Sequence, residues 1–87
     1  MVTKAVKIQN ATGMHARPAS LLVKEVKKFT SKVRLQKNGK DFDPGSILSI
    51  LSMGAKFGEE ITIKAEGTDA QAATDSIAAL FDSNFGE

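Results

Sequence analysis

Eighty-seven residues, 41% hydrophobic and 25% charged, predict one small soluble globular domain spanning residues 1–87, too short for a second domain or a large enclosed cavity. The absence of cysteine excludes disulfides, thiolate metal sites, iron–sulfur ligation and cysteine nucleophiles and fits a reducing compartment, while a single histidine excludes a His-x-x-x-His metal helix. Net charge is only +2, yet residues 1–40 hold ten Lys/Arg against Glu25 alone, and residues 41–87 hold Lys56 and Lys64 against nine acids, so an acidic partner or nucleic acid must be weighed.

The chain starts Met-Val-Thr-Lys-Ala-Val-Lys, without the apolar stretch of a signal peptide, and no apolar run approaches the roughly 18 residues that span a bilayer. The expected location is the cytoplasm, with no membrane insertion, which makes the sequon Asn10-Ala11-Thr12 a coincidence. Residues 2–8 place Val2, Val6 and Ile8 on one side and Thr3 and Lys7 on the other, predicting a strand with one wet face. From Ala16 to Phe29 the period becomes helical, with Ala19, Leu22, Val23, Val26 and Phe29 recurring and Pro18 in the first turn, where a missing N–H costs little.

Asn38-Gly39 is a strong hairpin signal, so residues 32–37 and 40–43 should pair as antiparallel strands. Pro44-Gly45 breaks the second, and Ser46 should cap a short helix with Ile47, Ile50 and Leu51 on one face, ended by Gly54 in the left-handed conformation. Ile61, Ile63 and Ala65 alternate with polar residues as a further strand. Thr68-Asp69-Ala70-Gln71 offers a capping box before a last helix with the stripe Ala73, Ile77, Leu80 and Phe81. The order strand, helix, strand, strand, helix, strand, helix implies an antiparallel sheet with helices on one face.

Common nucleotide loops are excluded: there is no Gly-x-Gly, and the residue five before Gly39-Lys40 is Arg34. Glu59-Glu60, the only adjacent acid pair, begins a strand where its side chains should diverge, which argues against a paired-carboxylate site. Nothing points to a Ser-His-Asp triad. There is no Tyr or Trp, and the five Phe are not interleaved with basic residues as base stacking requires.

The informative segment is Gly13-Met14-His15-Ala16-Arg17-Pro18-Ala19. The sole histidine lies immediately before a helix, where the first N–H groups lack backbone acceptors and the dipole presents partial positive charge. That field opposes an imidazolium and favours a nitrogen lone pair for nucleophilic attack. A phosphoryl group on that nitrogen would meet the helix donors, and Arg17 could add charge-assisted bonds. The plainer alternative is that His15 caps the helix and Arg17 is solvated. Leu21, Lys24 and Lys28 fall beside Arg17 on the helical wheel, and Leu48 flanks the second helix's stripe, so an exposed leucine with a positive rim forms a candidate docking face. Ser46 is a second helix-start hydroxyl, where a phosphate is compatible with the local dipole.

The stretch Gly13 to Ala19 resembles the active-site signature of HPr, the histidine-containing phosphocarrier of the phosphoenolpyruvate-dependent sugar phosphotransferase system. Residues 46–54, Ser-Ile-Leu-Ser-Ile-Leu-Ser-Met-Gly, resemble that family's second motif, and length and element order match over essentially the whole chain. The resemblance implies an α+β, open-faced β-sandwich: a four-stranded antiparallel sheet with three helices on one face, βαββαβα. It also implies phosphorylation of His15 on Nδ1 with help from Arg17, and Ser46 as the regulatory site where an ATP-dependent HPr kinase exists. The implied partners are enzyme I and enzyme IIA domains, and the implied molecule is a monomeric, stoichiometric carrier without metal or cofactor. Many relatives have lysine before the serine and glycine three residues after it; here these are Gly45 and Ser49, a departure that bears on recognition by the serine kinase. The alternatives are a regulatory, nitrogen-related carrier or, from another class, a small basic nucleic-acid-binding module. Catabolite-repression relatives that lack the active histidine are disfavoured by His15.

Overall fold

The computed structural model describes residues 1–9 and 13–86; the sequon at 10–12 lies outside them. The elements are β1 (Val2–Lys7), α1 (Ala16–Val26), β2 (Lys32–Lys37), β3 (Lys40–Phe42), α2 (Ile47–Ser52), β4 (Glu60–Glu66) and α3 (Ala70–Asp82), followed by a 3₁₀ turn over Asn84–Gly86. The strands form one antiparallel sheet in the order β1-β4-β2-β3, and the expected βαββαβα arrangement is found. Period-two alternation sets the registers: Val6 stands opposite Ile61, Leu35 opposite both Ile63 and Phe42. The covered face carries Val6, Val33, Leu35, Ile61, Ile63 and Ala65, all buried, against Ala19, Leu22, Ile50, Ile77 and Phe81 from the helices. Each large side chain so enclosed contributes about 1.5–3 kcal/mol.

The Asn38-Gly39 hairpin forms with both residues at positive φ, 53° and 80°, the geometry that matches strand twist. β3 stops at Phe42, one residue early, because the Asp43 amide donates to the Ser49 hydroxyl instead of to a strand. α1 ends at Val26, short of Phe29, as the amides of Lys28 and Phe29 turn to the carbonyls of Glu25 and Val26 and tighten the last turn. Phe29 still packs on the core from outside the helix.

Two local expectations are corrected. The capping box at 68–71 does not form: Asp69, not Thr68, is the N-cap of α3, and Gln71 donates to Asp75. Asp69 spends its carboxylate on the amides of Thr30 and Ser31, 2.9 Å each, and on the Ser31 hydroxyl. These bonds, the Ser31 hydroxyl first, hold its pKa below the ordinary aspartate value. On α2 the expected stripe buries only Ile50, and Ile47 and Leu51 stay exposed. A helix of six residues offers one inward position per turn, too short for a full apolar face to be covered.

Candidate functional site

The connection from β1 to α1 is held by close backbone contact. Gly13 sits at φ +70°, and a Cβ there would lie 2.6 Å from the Ala55 carbonyl oxygen, so only glycine fits. The next amide, Met14, donates to that same carbonyl at 3.0 Å, and the Met14 side chain is buried. His15 follows as the N-cap of α1, extended at φ −117° and ψ −170°, with its carbonyl accepting from Ala19 at 3.0 Å. Its imidazole does not cap the helix, so the plain capping role weighed for that side chain is not what it performs.

Behind His15, Pro18, Ala19, Leu22 and Val23 are buried and root α1, whereas Ala16 and Arg17 are exposed. By helix geometry the amides of Ala16 and Arg17 have no carbonyl within α1 to donate to. These donors stand at the positive end of the helix dipole, and Arg17 is exposed in the same turn.

Ser46 is also an extended N-cap, but its Oγ accepts from the Ser49 amide at 3.3 Å. The lead-in is fastened as well: Asp43 Oδ1 accepts from Gly45, the Asp43 carbonyl accepts from Ser46, and Ser49 Oγ accepts from Asp43. Ser49 thus completes a closed ring of bonds around the start of α2. Gly54 ends α2 at φ +63°, as the sequence predicts.

The residues read as a docking face divide. Lys24 is exposed and Leu48 is 81% exposed, the latter joined by Ile47 and Leu51 on α2. Leu21, expected to be exposed, is half-buried against the core because it lies beside Leu22 at the rim of the packed face. Lys28 forms an ion pair with Glu25 at 3.1 Å. Glu25 also accepts from the Ser76 hydroxyl, and that bond, ahead of Lys28, keeps its carboxyl below the ordinary range. Glu59 and Glu60 diverge as expected: Glu59 turns to Lys37 and the Lys56 amide, while Glu60 opens β4 exposed. Phe57, 64% exposed, and the nearly buried Lys37 were not singled out by sequence. The alternation Val33, Leu35, Lys37 carried the signal for Lys37, since it puts a lysine on the covered face. No described helix is long and apolar enough to cross a membrane.

A family model described as the PTS HPr component phosphorylation site matches residues 2–83. The chain is 42% identical over 79 residues to the HPr-like protein Crh of Bacillus subtilis, covering 91% of this chain and 93% of that protein. It is 38% identical over 87 residues to the phosphocarrier protein HPr of Treponema pallidum, covering 100% and 99%. A crystal structure of HPr from Thermoanaerobacter tengcongensis superposes with a TM-score of 0.95 at 38% identity, covering 100% of this chain and 98% of that one. A dimer of HPr from the same organism superposes with a TM-score of 0.79 at 39% identity, covering 94% of each chain.

Proposed function

The chain belongs to the HPr family, the phosphocarrier component of the phosphotransferase system, and we propose that it takes a phosphoryl group from phosphorylated enzyme I onto His15 and passes it to enzyme IIA domains in sugar uptake. The placement of His15 as N-cap of α1, on an anchored glycine loop, carries this reading. The Nδ1 lone pair attacks phosphorus, an N–P bond forms, and the donor's N–P bond breaks with its electron pair returning to the donor imidazole. The planar phosphoryl oxygens in transit meet the first-turn amides of α1 and the Arg17 guanidinium. Passing the group on reverses these steps, so the chain acts as a stoichiometric carrier in the cytoplasm, as a monomer, with no metal of its own. Lys24 supplies positive charge and Leu48 an apolar contact for partners, with Leu21 and Lys28 at the margin. Ser46 is the proposed regulatory site, reached by a serine kinase where one exists.

Incubation with enzyme I and labelled phosphoenolpyruvate tests the reading. An acid-labile, alkali-stable phosphate on the parent, missing from His15→Ala, is the expected result; label persisting in His15→Ala would overturn it. The similarity to Crh favours a second reading, a carrier whose output is regulatory. Phosphoryl acceptance without onward transfer to any enzyme IIA domain would select it. Binding to nucleic acid that falls steeply with salt and ignores His15→Ala would instead support the basic-module alternative.

A further inference from the structure

Lys37 is the last residue of β2 and points to the helix-covered face of the sheet, with its side chain only 12% exposed. Its ammonium has three N–H donors, and three acceptors surround it: the carbonyls of Met53 at 3.0 Å and Gly54 at 3.2 Å, and Glu59 Oε2 at 3.3 Å. Met53 and Gly54 end α2, where orphan carbonyls and the negative end of the helix dipole favour a cation. The other oxygen of Glu59 accepts from the Lys56 amide at 2.6 Å. Residues 53–59 are therefore pinned at both ends by one largely covered lysine and its carboxylate partner.

At the middle of that segment stands Ala55, whose carbonyl accepts from Met14 and abuts Gly13. A displacement of residues 53–59 is transmitted to Met14 and so to the adjacent His15. We propose that Lys37 and Glu59 are positioning residues for phosphoryl transfer, acting through the Ala55 carbonyl and Met14 amide to fix His15 at the start of α1. This rests on His15 being the phosphoryl acceptor. Neither side chain needs to touch the phosphoryl group.

The variants Lys37→Met, which keeps the apolar stem without the charge, and Glu59→Gln, which keeps an acceptor for the Lys56 amide, separate the parts of this device. Hydrogen exchange at the Met14 amide reads the coupling without any transfer partner: it should accelerate in Lys37→Met and less in Glu59→Gln, while the Ile63 amide in the sheet centre stays protected. In transfer from phosphorylated enzyme I, kcat should fall about tenfold in Lys37→Met with KM within about twofold of the parent, since a misplaced reacting group lowers the rate of the chemical step. Lys37→Arg should recover most of kcat. Unchanged Met14 exchange in both variants overturns the coupling, whatever the carrier function proves to be. Accelerated exchange with parental kcat, or a change confined to KM, overturns the positioning role. A parent that accepts no phosphate removes the transfer role of His15, and the positioning proposal falls with it even if the exchange arm behaves as expected.

Discussion

The starts of α1 and α2 are built on the same backbone plan and used oppositely. Each N-cap is extended, each precedes a helix that touches the other, and each was singled out by sequence as a place for phosphate. At α2 the Ser46 hydroxyl, the Asp43 carboxylate and the Ser49 hydroxyl turn inward on the local backbone. At α1 the imidazole takes no part in capping, and the fixing is done one and two residues earlier by Gly13 and Met14 against Ala55. The Ser46 hydroxyl is committed to its own helix, whereas the start of α1 is anchored upstream and does not call on the N-cap side chain for capping.

The largest expected effect comes from deleting that side chain. His15→Ala should lose phosphoryl acceptance entirely while remaining cooperatively folded, since the imidazole does not cap α1 and Pro18, Ala19, Leu22 and Val23 root that helix. Equal loss of stability and acceptance, measured by denaturant unfolding and labelled transfer, would place His15 on the same footing as a structural cap. Gly13→Ala strikes the anchorage instead. A positive φ and a 2.6 Å approach to the Ala55 oxygen predict destabilisation of about 1–3 kcal/mol, and a displaced Met14 predicts a transfer rate lower by up to about a hundredfold.

Ser46 should behave as the converse. Ser46→Ala gives up one rather long capping bond and should cost about 0.5–1 kcal/mol with transfer unchanged. Ser46→Asp keeps a capping acceptor and the fold, yet should slow acceptance from enzyme I, because negative charge beside the exposed Leu48 opposes docking of an acidic partner. Lys24→Glu should slow transfer by a smaller, several-fold factor that disappears at high salt, as expected for an exposed charge.

The third helix start gives the smallest effect and a sign to check. Asp69 has a lowered pKa in the folded chain, so its contribution is present above the ordinary aspartate value of about 4 and is lost as pH falls through the lower folded value. The Tm gap between the parent and Asp69→Asn should therefore be open at neutral pH and close on acidification.

Sequence carried the element order, the hairpin and the histidine at a helix start because those depend on short-range patterns: alternation, turn residues, and a proline in a first turn. It misplaced what depends on distant partners. Asp69 looked like part of a local capping box, and nothing near it in sequence announces that the amides of Thr30 and Ser31 will claim its carboxylate. For Lys37 the alternation of β2 indicates the covered face, but its partners, the carbonyls that follow α2, are distant in sequence and leave no local sign. The stripe on α2 was legible as a pattern, but whether a stripe is buried depends on how much protein stands opposite, which six residues of helix cannot declare.

The sheet order β1-β4-β2-β3 sets a timetable for folding as well as a shape. β2 and β3 meet across a two-residue turn, so their pairing closes a minimal loop, whereas Val2 finds Ala65 only after most of the chain has been threaded between them. The entropy of that closure falls on the central strand β4, which must receive β1 on one side and β2 on the other. The hairpin is thus expected early in the folding transition state and the β1 edge late. Substitutions at Val6 should accelerate unfolding more than they slow folding, and those at Leu35 should do the reverse.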